Sequence, residues 1–380
     1  MSGKELHEHR ITFECDDVTA STADLAVASV VTINPFVPSL YGADWYSPTG
    51  AFPTITLMQT LGDQVFMSFE TERHEALGAI EQRWPHARML FIYFLNGNWQ
   101  LFTKIASDNF GLEREPKTAH ERTSIAYHAL AVLNASIVGT TGSTSAKITS
   151  RFARKQSAAL ANRSHLVALR SRGSMSGQLE RDVFAEISRF VDHHESWEMG
   201  RLVRFSDSGV TASFESLVLY RDEFSIVRDL YQQGFELACK CLWPLVAAQN
   251  SVKRNDPDSF GEDHPASVPV KKRARTLTQF DQLPNAHKIA YAAQVPGWES
   301  IAELLSNSHR NTIGHATAQH NLQTGRIVSD KDPNGMTYLE FLGLTFGVFE
   351  ALTVLAQVLR AARVASSPDF SPSASKTEFP

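Results

Sequence analysis

Ser308-His309-Arg310-Asn311-Thr312-Ile313-Gly314-His315-Ala316 is the stretch whose reading decides the fold of the C-terminal part of the chain. It sets an arginine, an amide and a histidine within about two turns of an expected helix. Asn311 and His315 are four residues apart and so share a face. Arg310 lies about 140° round from His315, yet its long side chain reaches the same phosphate-sized space. Gly314 leaves the backbone beside His315 uncovered, so another chain or a ligand can approach closely. A fixed cation beside a group that titrates near neutral pH is what phosphodiester chemistry needs.

Arginine and histidine at this loose spacing recur four times, as Arg114/His120, Arg122/His128, Arg189/His194 and Arg310/His315. About two such pairs would arise by accident in a chain of this composition, so context must separate them. Pro116 interrupts the first pair, Thr123 and Ser124 follow the second arginine, and Phe190 follows the third. Arg310 alone has asparagine directly after it. Arg310 to His315 resembles the Arg-Asn-x-x-x-His signature of HEPN domains, helical bundles common in prokaryotic defence and toxin systems. The Ile-Gly-His-Ala ending and the later Gly325-Arg326-Ile327-Val328 are also similar to HEPN sequences. The resemblance covers residues 222–365 only.

What the resemblance implies is metal-independent cleavage of RNA, with no cofactor and no metal site. Arg310, Asn311 and His315 would be catalytic, with Glu299, Glu303 and His309 in support and His320 as a further neighbour. HEPN domains join two motifs across a dimer, so a homodimer through the C-terminal bundle is expected. The resulting expectation is a ribonuclease acting as an antiviral-defence or toxin effector, whose N-terminal half senses or regulates, with a regulatory protein as a further partner. The other reading is a non-catalytic HEPN-like adaptor whose N-terminal domain binds a protein or small ligand.

The rest of the chain sets bounds. Its 380 residues favour two domains. Hydrophobic content of 43% and charged content of 20% are ordinary for a globular protein. The net charge of −5 does not by itself advertise nucleic acid. Cys15, Cys239 and Cys241 form no disulfide framework, which predicts a reducing, cytoplasmic setting. Residues 1–10 are charged, unlike a signal peptide. The apolar run 342–359 contains Glu350 and reads as a buried bundle helix, not a membrane span.

Patterning predicts an α+β protein: a mixed α/β domain over 1–221, then an all-α HEPN-like bundle over 222–365. Strand-like runs lie at 11–15 and 25–33, with a loop at 34–54 and a helix over 71–84. Asn96-Gly97-Asn98, between aromatic-rich 89–95 and 99–105, predicts a β-hairpin. A helix is expected from 119, and 139–147 reads as a connector, because no Gly-Lys-Ser/Thr step makes it a phosphate loop. No acidic residue occurs between Glu121 and Glu180, so segment 122–179 is one-signed. Lys147, Arg151, Arg154, Lys155 and Arg163 within it are candidate RNA contacts. Asp192-His193-His194-Glu195 reads as a surface cluster. Residues 202–205 and 210–220 predict a second hairpin, and 224–248 a helix broken near Pro244. A polar insert is expected over 251–283, ending its first part in the basic run 271–275. A helix then leads into the motif, 338–364 forms the last helix, and 366–380 reads as a disordered tail.

Overall fold

The computed structural model describes residues 39–40, 53–139, 159, 162–205, 217–219, 223–305, 313, 318–321, 324–329 and 332–367. Residues 1–33 form a unit of their own, outside that set; all that follows concerns the unit 34–380. Helices make up most of it, with a three-stranded antiparallel sheet near the C-terminus.

The first helices are α1 (Pro53–Leu61), α2 (Asp63–Gln82), α3 (Trp84–Asn96), α4 (Trp99–Phe110) and α5 (Ala119–Val138). The hairpin expected around Asn96-Gly97-Asn98 is instead a helix–helix corner. Gly97 is left-handed (φ 69°) and ends α3, while the Asn98 side chain accepts from the Leu101 N–H at 3.3 Å and starts α4. The same Asn-Gly chemistry that closes a hairpin also caps a helix, and the flanking periodicity decides between them. Leu90, Phe91 and Phe94 recur at helical spacing and are buried, with Phe91 5.5 Å from Phe94 and 5.1 Å from Tyr127 on α5. α5 opens with a capping box, Thr118 and Glu121 each satisfying the other's backbone amide.

After α6 (Arg163–Ser171) and α7 (Gly173–Asp192), the chain tightens into α8 (His194–Trp197), a 3-10 turn (Glu198–Arg201) and α9 (Leu202–Phe205). Residues 202–205 are therefore helical, not an arm of a hairpin. The strand that follows, β2 (Leu217–Val218), pairs antiparallel with β1 (Ser39–Leu40) in the register Ser39↔Val218 and Leu40↔Leu217. Those two short strands are the only ones described before residue 222, where helices predominate; the strand-like runs expected at 11–15 and 25–33 lie outside the described residues.

α10 (Phe224–Lys240) and α11 (Trp243–Arg254) break at the expected place, with Pro244 in the first turn of α11, where a missing N–H costs nothing. Cys239 and Cys241 are buried and free, so Cys-Lys-Cys packs the core. The insert is not a bare polar loop. Phe260, Val268 and Ala274 are buried, and the Tyr291 hydroxyl joins its halves, 2.8 Å from His264 Nδ1 and accepting from the Ala274 N–H at 3.1 Å. It contains α12 (Leu277–Asp281) and leads into α13 (Asn285–Ala293) and α14 (Glu299–Leu304).

The C-terminal part is not all-α. β3 (Gln319–Asn321), β4 (Arg326–Ser329) and β5 (Asp332–Thr337) form an antiparallel meander, with Gln319↔Val328 and Arg326↔Thr337 in register. It delivers the chain into α15 (Tyr338–Ser366), again through a capping box, Thr337 with Glu340. α15 is long and apolar enough to cross a membrane, but 83% of its most apolar window is buried inside the protein. α5, α6, α7, α10 and α14 all pack on it, so its neighbours come from both sides of the expected 221/222 boundary. Residues 140–158, 206–216 and the tail 368–380, including most of the expected connector, lie outside the described residues.

The closest approach is made by the 3-10 turn, where a Cβ on Gly200 would lie 2.1 Å from the Leu342 carbonyl oxygen; beside it Gly343 faces Val203. Neither backbone can yield without moving α15. Gly200→Ala is therefore expected to destabilise by at least ~1–3 kcal/mol, read from the urea midpoint by circular dichroism. Val132→Ala, on an exposed site, should stay within about 0.5 kcal/mol. A Gly200→Ala midpoint equal to wild type would show that the turn and helix are not in contact.

Candidate functional site

Of the residues between buried Leu305 and buried Ala318, which include the motif, only Ile313 is described. It is helical and fully buried, and its carbonyl accepts from Gln232 Nε2 of α10 at 3.4 Å. Arg310, Asn311, His315 and His309 lie outside the described residues. Glu299 and Glu303 are both exposed on α14, and one Glu299 oxygen accepts from the Gly297 N–H at 2.8 Å, in the turn before the helix.

The basic segment is divided by the fold. Arg122 donates to the Pro116 and Lys117 carbonyls, both at 3.2 Å, and stacks 4.6 Å from the Trp99 ring. Arg172 pairs with Asp281 at 2.6 Å and lies 5.0 Å from Trp243. These two cations are consumed internally, as a solvated or structural arginine would be. Arg163 and Arg170 remain exposed on α6. Lys147, Arg151, Arg154 and Lys155 lie outside the described residues.

Two arrangements were not read from the sequence. The first is a buried ionic network under α15. Arg73 of α2 forks onto Glu198 with three contacts of 3.0–3.1 Å. Arg201 has 0% exposure; it donates to Glu72 Oε2 at 3.2 Å, to the Val138 carbonyl at 3.4 Å and to the Ile137 carbonyl. Arg204 pairs with Glu350 of α15, and both Arg201 and Arg204 lie over the Phe346 ring, at 5.3 and 4.5 Å. His194, expected at the surface, is buried against Trp197 at 5.1 Å, whereas His193 is exposed. Their opposite faces follow from adjacency, but which one turns inward is decided by Trp197. A second buried set joins Tyr127, whose hydroxyl donates to Glu180 at 2.6 Å, to Arg363 on the same carboxylate.

The second arrangement is a cleft of about 290 Å³ between the α2–α3 corner, the end of α4 and α5. Its rim carries Gln82, Arg83, His86, Asn109 and His128; its floor is Ala87, Phe110, Ala129, Val132 and Leu133. Four helices contribute the polar groups, separated by up to 46 residues (His128 minus Gln82), which is why no local motif marks them. Among the described residues no group of histidine, cysteine, aspartate and glutamate has the geometry of a metal site.

No family model, no curated protein and no solved structure matches this chain.

Burial pushes His194 down to about 3, with Arg201 and Arg73 adding to the effect, and His165 down to about 4. An exposed histidine in the unfolded chain titrates near ~6.5. Below that pH the unfolded chain takes up protons that the native one refuses, so the stability these two residues contribute is present above ~6.5 and lost as pH falls toward 4. Glu180 and Glu186, raised by burial, act in the opposite sense, their contribution being lost as pH rises. The histidine effect must therefore be read as a difference. Between pH 7 and 5 the denaturation midpoint of wild type should fall more steeply than that of His194→Gln, by up to ~1.4 kcal/mol per pH unit. Parallel curves would place the acid sensitivity elsewhere.

Proposed function

We propose that this chain is a metal-independent RNA endonuclease of HEPN type, with Arg310, Asn311 and His315 at its centre. The reading is supported by one observation: Ile313, within the Arg-Asn-x-x-x-His string, is fully buried and accepts from Gln232 of α10, in a body made mostly of helices. A motif of this kind on a solvated linker would have no such anchor.

The chemistry follows from RNA itself. The ribose 2′-oxygen attacks the adjacent phosphorus, the P–O5′ bond breaks, and the products are a 2′,3′-cyclic phosphate and a free 5′-hydroxyl. The nucleophile is already tethered, which removes much of the entropic barrier. Proton transfer and charge remain. His315 moves the proton from the 2′-hydroxyl or to the leaving oxygen, a role worth about 10²–10⁴-fold. Arg310 grips the phosphate through its planar fork and stabilises the charge that develops. Asn311 orients the phosphate or the imidazole. One histidine is few for an acid and a base, and a two-fold homodimer supplies the second without further residues. The exposed Arg163, with Lys147, Arg151, Arg154 and Lys155 in the same one-signed segment, provides the electrostatic approach for RNA. A defence or toxin effector in the cytoplasm, restrained or triggered through its N-terminal half, is the setting this activity implies.

The test is purified protein incubated with tRNA and total RNA in EDTA, beside His315→Ala and Arg310→Ala. Chelator-resistant cleavage with cyclic-phosphate ends is expected, falling at least about a hundredfold in either variant. Equal decay in all three samples would assign the activity to a contaminant and overturn the reading.

A further inference from the structure

The cleft bounded by α2, α3, α4 and α5 has no part in that chemistry. We propose that it binds a small phosphorylated molecule with a planar or apolar body, of the mononucleotide class. This is independent of cleavage at Arg310 and His315.

The argument begins with charge. Arg83 from the α2–α3 corner, His86 from the first turn of α3 and His128 from α5 converge on one cleft, and no acidic side chain lines it. Arginines nearby are spent: Arg73 on Glu198, Arg88 on Asp192 at 3.1 Å, and Arg122 on two carbonyls. Arg83, His86 and His128 make no ion pair and no side-chain hydrogen bond among the described residues. All three are exposed. Glu81 and Asp108 are neighbours in sequence but do not line the cleft. A concave surface whose lining carries basic side chains and no carboxylate is complementary to a ligand that brings negative charge. α3 starts beside the same rim with no side chain capping its first turn, and the positive end of its dipole favours a phosphate there.

Shape and the remaining lining specify the rest of the ligand. The floor of Ala87, Ala129 and Leu133 is buried, and Phe110 and Val132 continue it toward the mouth. An apolar floor under a cationic rim suits a flat body with an anion at one end, not a bare phosphate. Asn109 donates its amide to the Ile105 carbonyl at 3.1 Å, which leaves its side-chain oxygen to accept from a base edge, and Gln82 offers a second amide. The volume of about 290 Å³ is at the small end of ligand pockets, which fits a mononucleotide and excludes a folded nucleic acid.

The test uses the full-length chain, titrated with AMP, GMP, CMP and UMP, with the matching nucleosides and with inorganic phosphate, by calorimetry and thermal shift. At least one mononucleotide should bind saturably and raise the melting temperature, with its nucleoside and free phosphate each weaker by about tenfold or more. Arg83→Ala and His128→Ala should weaken it by about tenfold each. Val132→Trp should block it by filling the cleft. Arg114→Ala, at an exposed arginine already paired with Glu121, should bind as wild type. His315→Ala should also bind as wild type, so failure of the cleavage reading and failure of this one are separable. Absence of saturable binding by all four mononucleotides at millimolar concentration overturns the proposal, as does binding unchanged in Arg83→Ala, His128→Ala and Val132→Trp.

Discussion

Everything in the helical body is arranged around a guanidinium that water does not reach. Arg201 is fully buried, and its two terminal nitrogens donate to Glu72 and to the last carbonyls of α5, Ile137 and Val138, while its Nε has no hydrogen-bond partner among the described residues. A helix C-terminus leaves carbonyls without partners and carries partial negative charge, so a cation there satisfies the backbone and the dipole together. The arrangement joins the end of α5, the middle of α2 and the 3-10 turn in one place. Removing one member would strand a charge in the core, at ~3–5 kcal/mol for a buried pair.

That constraint sets the position of α15. Gly200, one residue before Arg201, brings the turn against the α15 backbone, and Arg204 three residues later reaches Glu350 on the same helix. Arg73 with Glu198, Arg201 with Glu72 and Arg204 with Glu350 balance three guanidinium groups against three carboxylates. Trp197 fixes the other side: its indole N–H donates to the Phe190 carbonyl at 2.8 Å, and its ring meets Phe346 and Phe349. With α15 set in this way, α14 packs against Gly347 through Leu304, and the motif-bearing segment begins directly after it. The long apolar helix thus meets both a buried ionic network, through Glu350, and α14, through Gly347 against Leu304.

Much of this was legible from local signals. The last helix was readable from its apolar run, and the break near Pro244 from proline chemistry. The hairpin at Asn96-Gly97-Asn98 was misread because turn chemistry serves a helix end as well, and the aromatic residues beside it suit either structure. The all-α reading of the C-terminal part missed the β3–β5 meander, whose strands are three to six residues long and carry little periodicity. The Arg-Asn-x-x-x-His motif was visible because it is contiguous. The cleft was not, because its polar groups come from four helices and none has a neighbour in sequence that marks it.

The sequence alone carried the break between α10 and α11, since proline in a first turn acts locally, but at Asn96-Gly97-Asn98 the same local turn chemistry left hairpin and helix end unresolved. It also determined that the 338–366 helix would be buried, because no solvated surface accommodates so much apolar area. Only the tertiary structure decided which cations are spent and which are free. Arg73 meets Glu198 across 125 residues and Arg201 meets Glu72 across 129, while Arg83 and His128 pair with no carboxylate among the described residues. Whether a charge is neutralised depends on what the fold brings within hydrogen-bond reach, and that distance in space is not written in the distance along the chain.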